Sequence, residues 1–140
     1  MTVCIDTNTL IQLFGKRSRF RAITVALMDG RIELAVSNSI VLEYREVAAA
    51  MYGREFEREV MCFLDFATAA GSVRDFDPRF HFHLITADPD DDIFADCAIA
   101  AAADYVITED RHFEALRNSG YKPQPISPEE FIQRFLLEMR

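Results

Sequence analysis

Asp6, Glu43, Asp91 and Asp110 are the residues whose types and surroundings could do chemistry. Asp6 directly follows the apolar run Val3-Cys4-Ile5 and precedes Thr7-Asn8 at a helix start. That is where α/β proteins hold ligand-binding groups; a helix N-cap is the other use of an Asp at such a point. On a helical wheel with Ile40 at zero, the apolar face centres near about 30° and Glu43 falls near about 300°. Glu43 therefore sits beside the buried face and leans toward the core, against the alternative of a wholly solvated helix residue. Asp110 lies just past the β-rich run Tyr105-Val106-Ile107-Thr108, in the same relation to its strand as Asp6. If those strands are neighbours, both carboxylates meet at one edge of a sheet.

The run Asp88-Pro89-Asp90-Asp91-Asp92, followed by Asp96, is the strongest anomaly. One or two acids at a helix N-terminus complement its dipole, but this run exceeds that need. Like charges a few Å apart repel by about 1–4 kcal/mol per pair in media between water and a protein surface. A divalent cation would offset this. Phe94, Cys97, Ala98 and Ala101 form the apolar face of the predicted helix, with Asp91 at its edge, while Asp92 and Asp96 share another face. Asp91 is then the inward acid, with Asp92 and Asp96 as supporting or solvated ones. Carboxylates without a paired base suit oxygen-only coordination of Mg²⁺ or Mn²⁺, which activates water and stabilises charge on a phosphodiester.

The charge distribution agrees. The chain carries 23 Asp+Glu against 15 Lys+Arg, a net charge of −8. Eight of the acids lie between Thr86 and Asp110, a window with no Lys or Arg, and the remainder of the chain is balanced at 15 and 15. An acidic total excludes a generic phosphate-coating protein. It is compatible with a protein that meets phosphates through metal. Lys16, Arg17, Arg19 and Arg21 form a local basic cluster. It is either a solvated loop or a phosphate track leading to the metal site.

Other motifs fail. Asp88, Asp90 and Asp92 occupy calcium-loop positions 1, 3 and 5, but Ile93 stands where Gly is needed and Ile99 where Glu is needed. No GxGxxG or GxxxxGK[ST] is present. His81 and His83 lack a third nitrogen or sulfur ligand nearby. His112, beside Asp110, reads as a surface helix residue, with substrate contact as its alternative.

The supporting elements follow from periodicity and punctuation. Met1–Ile5, 32–36, 72–76, 105–108 and 125–126 predict strands. Helices are predicted over 7–14, 19–28, about 38–51, 54–69, 90–102, 111–118 and from Pro128 onward, with Asp77–Ala87 irregular. Ile40, Tyr44, Val47, Ala48 and Met51 share one helix face, and Phe56, Val60, Phe63, Leu64 and Ala67 another. Ser127-Pro128-Glu129-Glu130 is a capping box with Pro at the first helical position. Alternating strands and helices in 140 residues, 50% hydrophobic and 27% charged, predict one α/β domain over 1–140 with a mostly parallel sheet. Three cysteines without a CxxC pair read as reduced core residues. No leader or membrane segment is seen, so a cytoplasmic location is expected.

Taken in order, Val3 through Asn8, Ser37 through Tyr44, Asp88 through Asp92, Ala103 through Asp110 and Ile126 through Phe131 resemble the PIN-domain family of metal-dependent ribonucleases. The likeness is to its toxin-type, VapC-like branch. The resemblance implies a three-layer α/β/α sandwich. It implies an acidic quartet of Asp6, Glu43, Asp91 and Asp110 holding one or two Mg²⁺ or Mn²⁺ ions. Asp92 and Asp96 are further candidate ligands, and Thr7, Asn8 and Thr108 are polar supports. It also implies an RNA substrate, a homodimer and a cognate antitoxin. Two other readings compete: a PIN-like interaction module without activity, and a hydrolase using Asp6 as nucleophile. The second lacks the acid usually found two residues on, where Asn8 stands.

Overall fold

The computed structural model describes residues 1–15, 17–86 and 88–137; Lys16, named above in the basic cluster, lies outside them. Five strands form one parallel sheet: β1 (Thr2–Ile5), β2 (Glu33–Val36), β3 (Val73–Asp75), β4 (Tyr105–Ile107) and β5 (Gln124–Ile126). Their spatial order is β3-β2-β1-β4-β5. Helices α1 (Thr7–Gln12), α2 (Arg21–Met28), α3 (Asn38–Tyr52), α4 (Arg54–Ala69), α5 (Pro89–Ala100) and α6 (Pro128–Phe131) complete the α/β sandwich. The predicted helix at 111–118 is a tighter 3₁₀ stretch, Arg111–Leu116, and α6 continues as a π-helical stretch over Ile132–Leu136.

Buried strands explain the near-continuous apolar runs. Val3, Cys4 and Ile5 of the central strand are fully buried, as are Val106 and Ile107 beside them. Pro125 lies in edge strand β5, where its missing N–H leaves no central ladder bond unmade. Residues 76–86 carry no regular element among those described, as their sequence predicted. Two expectations of burial fail. Cys62 is exposed while Cys4 and Cys97 are buried, because Cys62 of α4 lies off the Val60-Leu64-Ala67 stripe that meets the core. Met51 is also exposed; it sits in the last turn of α3, just before Gly53 turns the chain into α4 with φ +88°.

The order of strands fixes where a site can form. Sequential strands β1, β2 and β3 extend one way from β1, and β4 and β5 extend the other. The switch falls between β1 and β4, and the crevice at its carboxyl end is where parallel α/β sheets bind ligands. Asp6 follows β1 there, and Thr108 through Asp110 follow β4. Asp6 N donates to the Ile107 carbonyl at 3.3 Å, continuing the pairing to that edge.

One buried bond ties α3 to the same edge. The fully buried Tyr44 hydroxyl donates to the Ile5 carbonyl at 2.5 Å. Its ring also packs at 5.9 Å from that of buried Phe94 in α5. Glu43 adjoins Tyr44 in sequence and Asp91 lies one turn before Phe94, so this contact orients two of the candidate acids. Tyr44→Phe keeps the packing and removes the bond to a buried carbonyl. It is expected to destabilise the protein by about 1–2 kcal/mol, seen as a lower urea midpoint with an unchanged slope.

Candidate functional site

A pocket of about 130 Å³ opens at the switch point, lined by Asp6, Thr7, Asn8, Glu43, Val47, Asp88, Asp90, Asp91, Phe94 and Asp110. All four acids of the predicted quartet are there, joined by Asp88 and Asp90. No Lys or Arg lines it among the described residues. An adjoining recess of about 230 Å³ shares Asp6, Asn8 and Asp110 and adds Thr9, Gln12 and Glu109.

Asp6 is both a helix cap and a pocket wall, so the two uses weighed for it are compatible. One carboxylate oxygen accepts from Thr9 N at 2.9 Å, opening α1. The other accepts a short hydrogen bond from the Thr108 hydroxyl. Thr108 in turn accepts from Asp110 N at 2.9 Å, so one hydroxyl links the acids that end β1 and β4. Burial raises the pKa of Asp6 above the usual carboxylate range, and the negative charge of Asp110 adds to this, against the lowering by the Thr108 and Thr9 bonds. Thr7 is 8% exposed, and its hydroxyl has no partner among the described residues.

Asp91 and Glu43 face the pocket from α5 and α3. Burial pushes Asp91 up to about 6, with the charges of Asp110 and Asp88 in the same direction and the His112 bond opposing. Glu43 is raised by burial and then by the charges of Asp90, Glu46, Asp88 and Asp91. Burial is the main cause of all three shifts, and the neighbouring carboxylates add to it.

Asp88 and Asp90, read from sequence only as members of the acidic run, and His112, read as a surface residue with substrate contact as its alternative, stand beside the quartet. Asp88 caps α5 by accepting from Asp90 N at 2.9 Å. That is the cap role first assigned to such acids, but the cap happens to lie on the sheet edge. His112 Nδ1 stands 2.9 Å from an Asp91 oxygen and 3.4 Å from an Asp110 oxygen. The signal was its two-residue spacing from Asp110, since Asp110 caps the 3₁₀ stretch and accepts from His112 N at 2.8 Å. The bond to Asp91, and then the charge of Asp110, raise the His112 pKa.

Asp92 and Asp96 are not brought to this pocket. They point from another face of α5 to the irregular segment before it. Asp92 accepts from Ile85 N at 3.2 Å. Asp96, only 4% exposed, accepts from Phe82 N at 2.9 Å and lies 3.1 Å from His81 Nδ1. Their contacts hold residues 81–85 against the helix. Arg19 pairs with Glu129 at 3.1 Å and reaches Glu109 at 4.0 Å, placing it beside the adjoining recess. Arg17 and Arg21 are exposed.

The shifts set a pH dependence for the metal-free protein. Between about pH 4 and 6 folded Asp91 holds a proton that the unfolded chain has released, so stability falls as pH rises through that window. Asp6 and Glu43 act in the same direction. The contribution of His112 is present below its unfolded pKa and is lost as pH rises through its raised folded value. In EDTA the melting temperature should therefore fall from pH 5 to pH 7.5, and Asp91→Asn should flatten that slope. A rise over the interval would contradict the assignment.

A family model described as PIN domain matches residues 2–112. No curated protein matches the sequence. Among solved structures, VapBC2 from Rickettsia felis, crystallised with a DNA fragment from its promoter, superposes with a TM-score of 0.59 at 15% identity over 89% of this chain and 98% of that one. The T. brucei RRP44 PIN domain gives 0.55 at 11% identity over 94% and 79%. These likenesses are of fold, and the fold is the five-stranded parallel one described above. With the family model covering the sheet's first four strands and the whole acidic pocket, the chain belongs to the PIN-domain family.

Proposed function

We propose that this chain is a Mg²⁺- or Mn²⁺-dependent endoribonuclease, and that it acts as the toxin of a type II toxin–antitoxin pair. It belongs to a family whose members are generally nucleases. The observation that carries the reading is the convergence of six carboxylates on one pocket at the switch point, without a lining Lys or Arg among the described residues.

The residues fit a divalent ion. The donor set is hard carboxylate oxygen, the chemistry Mg²⁺ and Mn²⁺ take. The pKa values of Asp6, Glu43 and Asp91 are raised first by burial and further by neighbouring carboxylates, a cost that a bound cation would offset. Thr7 lines the same pocket, and its buried hydroxyl has no partner among the described residues. Asp6, Glu43, Asp91 and Asp110 would hold one or two ions, with Asp88 adjacent. A bound ion would supply activation of water and stabilisation of charge on the phosphodiester. Thr108 and Thr9 fix the Asp6 carboxylate so that it need not reorganise during reaction. Asn8 lines both the pocket and the recess, placing an amide where the substrate passes between them.

The substrate enters along the basic side. Arg19, beside the recess, presents a guanidinium fork suited to phosphate. Arg17 and Arg21, both exposed, extend the track. Exposed apolar side chains on α3 and α4, Leu42, Met51, Tyr52 and Phe66, support association with a protein partner, an antitoxin or a second copy of the chain. The likeness in fold to VapBC2 is consistent with an antitoxin. Among the described residues no helix is long and apolar enough to cross a membrane, which is compatible with action in the cytoplasm.

RNA cleavage should require added Mg²⁺ or Mn²⁺ and stop with EDTA. Asp6→Asn and Asp91→Asn should each lower the rate by at least about 100-fold, with folding checked by circular dichroism. Cleavage at the wild-type rate by both variants would overturn the assignment.

A further inference from the structure

We infer that His112 supplies a nitrogen ligand to the divalent ion of the acidic pocket, so that the site takes a first-row transition ion such as Mn²⁺ in preference to Mg²⁺. The inference rests on the metal-dependent reading above and adds to it a donor of a different kind.

The geometry is that of a ligand set. Donor atoms of Asp88, Asp91 and His112 all lie within 4.8 Å of one another. His112 Nδ1 is 2.9 Å from an Asp91 oxygen and 3.4 Å from an Asp110 oxygen. Neighbouring ligands at right angles on an octahedral ion with bonds of about 2.1 Å stand about 3 Å apart. The His112–Asp91 contact is a hydrogen bond in the ion-free protein, and its spacing lets an ion take the place of the shared proton. Thr7, 8% exposed and lining the same pocket, is an independent sign, because its hydroxyl has no partner among the described residues and a buried polar atom of that kind is satisfied by a ligand or water.

His112 is delivered to this place by backbone structure. Thr108 accepts from Asp110 N, and Asp110 accepts from His112 N at 2.8 Å. These caps set the start of the 3₁₀ stretch, from which the ring reaches Asp91 and Asp110. An ion-pairing histidine is the competing use. Its one positive charge would offset only a fraction of six carboxylates. Oxygen ligands alone suit Mg²⁺, which seeks hard donors and keeps its waters. An imidazole shifts the balance toward borderline transition ions.

The test uses the full chain with Mn²⁺ and Mg²⁺ as probes. Electron spin-echo spectroscopy of the Mn²⁺-loaded wild type should show coupling to an imidazole nitrogen, and His112→Gln should abolish it. By calorimetric titration His112→Gln should weaken Mn²⁺ binding by about 10–100-fold and leave Mg²⁺ nearly unchanged. His112→Asp, which returns an oxygen ligand, should bind both ions without nitrogen coupling. Mn²⁺ bound by the wild type with no nitrogen coupling, or equal weakening of both ions by His112→Gln, would overturn the inference and leave the carboxylate site standing. Failure of the wild type to bind either ion would overturn both. Should His112→Gln fold poorly, the wild-type spectrum decides alone.

Discussion

Mutual repulsion among carboxylates at one end of the sheet is the constraint around which the site is built. Asp6, Glu43, Asp88, Asp90, Asp91 and Asp110 face one pocket. Each pair at contact distance costs on the order of 1–4 kcal/mol without a counter-charge. The structure meets this in several ways. Asp6 is held by two hydrogen bonds. Asp91 keeps its proton up to about pH 6, and it has the His112 ring against it. What remains is uncompensated negative charge, which the proposed chemistry would use to hold a cation.

The remaining acids of the same window serve the scaffold. Asp92 and Asp96 receive backbone N–H groups from the irregular segment ahead of α5. Asp104 accepts from Thr2 N at 2.9 Å and pairs with Lys122 at 3.3 Å, joining β1, β4 and the approach to β5 at the amino edge of the sheet. Glu109 faces Arg19. A local excess of negative charge thus divides between a reactive pocket and three structural duties. On α5 the division follows rotation about the helix, with Asp91 on one side and Asp92 and Asp96 on the other.

Much of this was legible in the sequence because the deciding signals are local. Buried parallel strands leave apolar runs that end at Asp6 and Thr108, and the wheel of α3 places Glu43 beside the core. Parallel pairing of β1 with β4 was anticipated only as a condition for Asp6 and Asp110 to meet; the sheet order supplies it. Asp92 and Asp96 were less legible, because their partners come from a segment without periodicity. His112 was hidden for a related reason. Its sequence position reads as a surface helix with substrate contact as the alternative, whereas the 3₁₀ turn capped by Asp110 brings its Nδ1 to 2.9 Å from Asp91. Met51 shares the periodic face of Ile40, Tyr44 and Ala48 yet is exposed in the last turn of α3, and Cys62 was expected in the core from its residue type although it lies off the buried stripe of α4.

The most direct test of the central claim needs no knowledge of the RNA. The melting temperature of the wild-type protein at pH 7.5 is compared in EDTA and at a Mn²⁺ concentration about 100 times its dissociation constant, a condition worth about 2.7 kcal/mol of stabilisation. For a chain of this size that corresponds to a rise of roughly 5–10 °C, which is the result this account predicts. An unchanged or lower melting temperature in Mn²⁺ would contradict it.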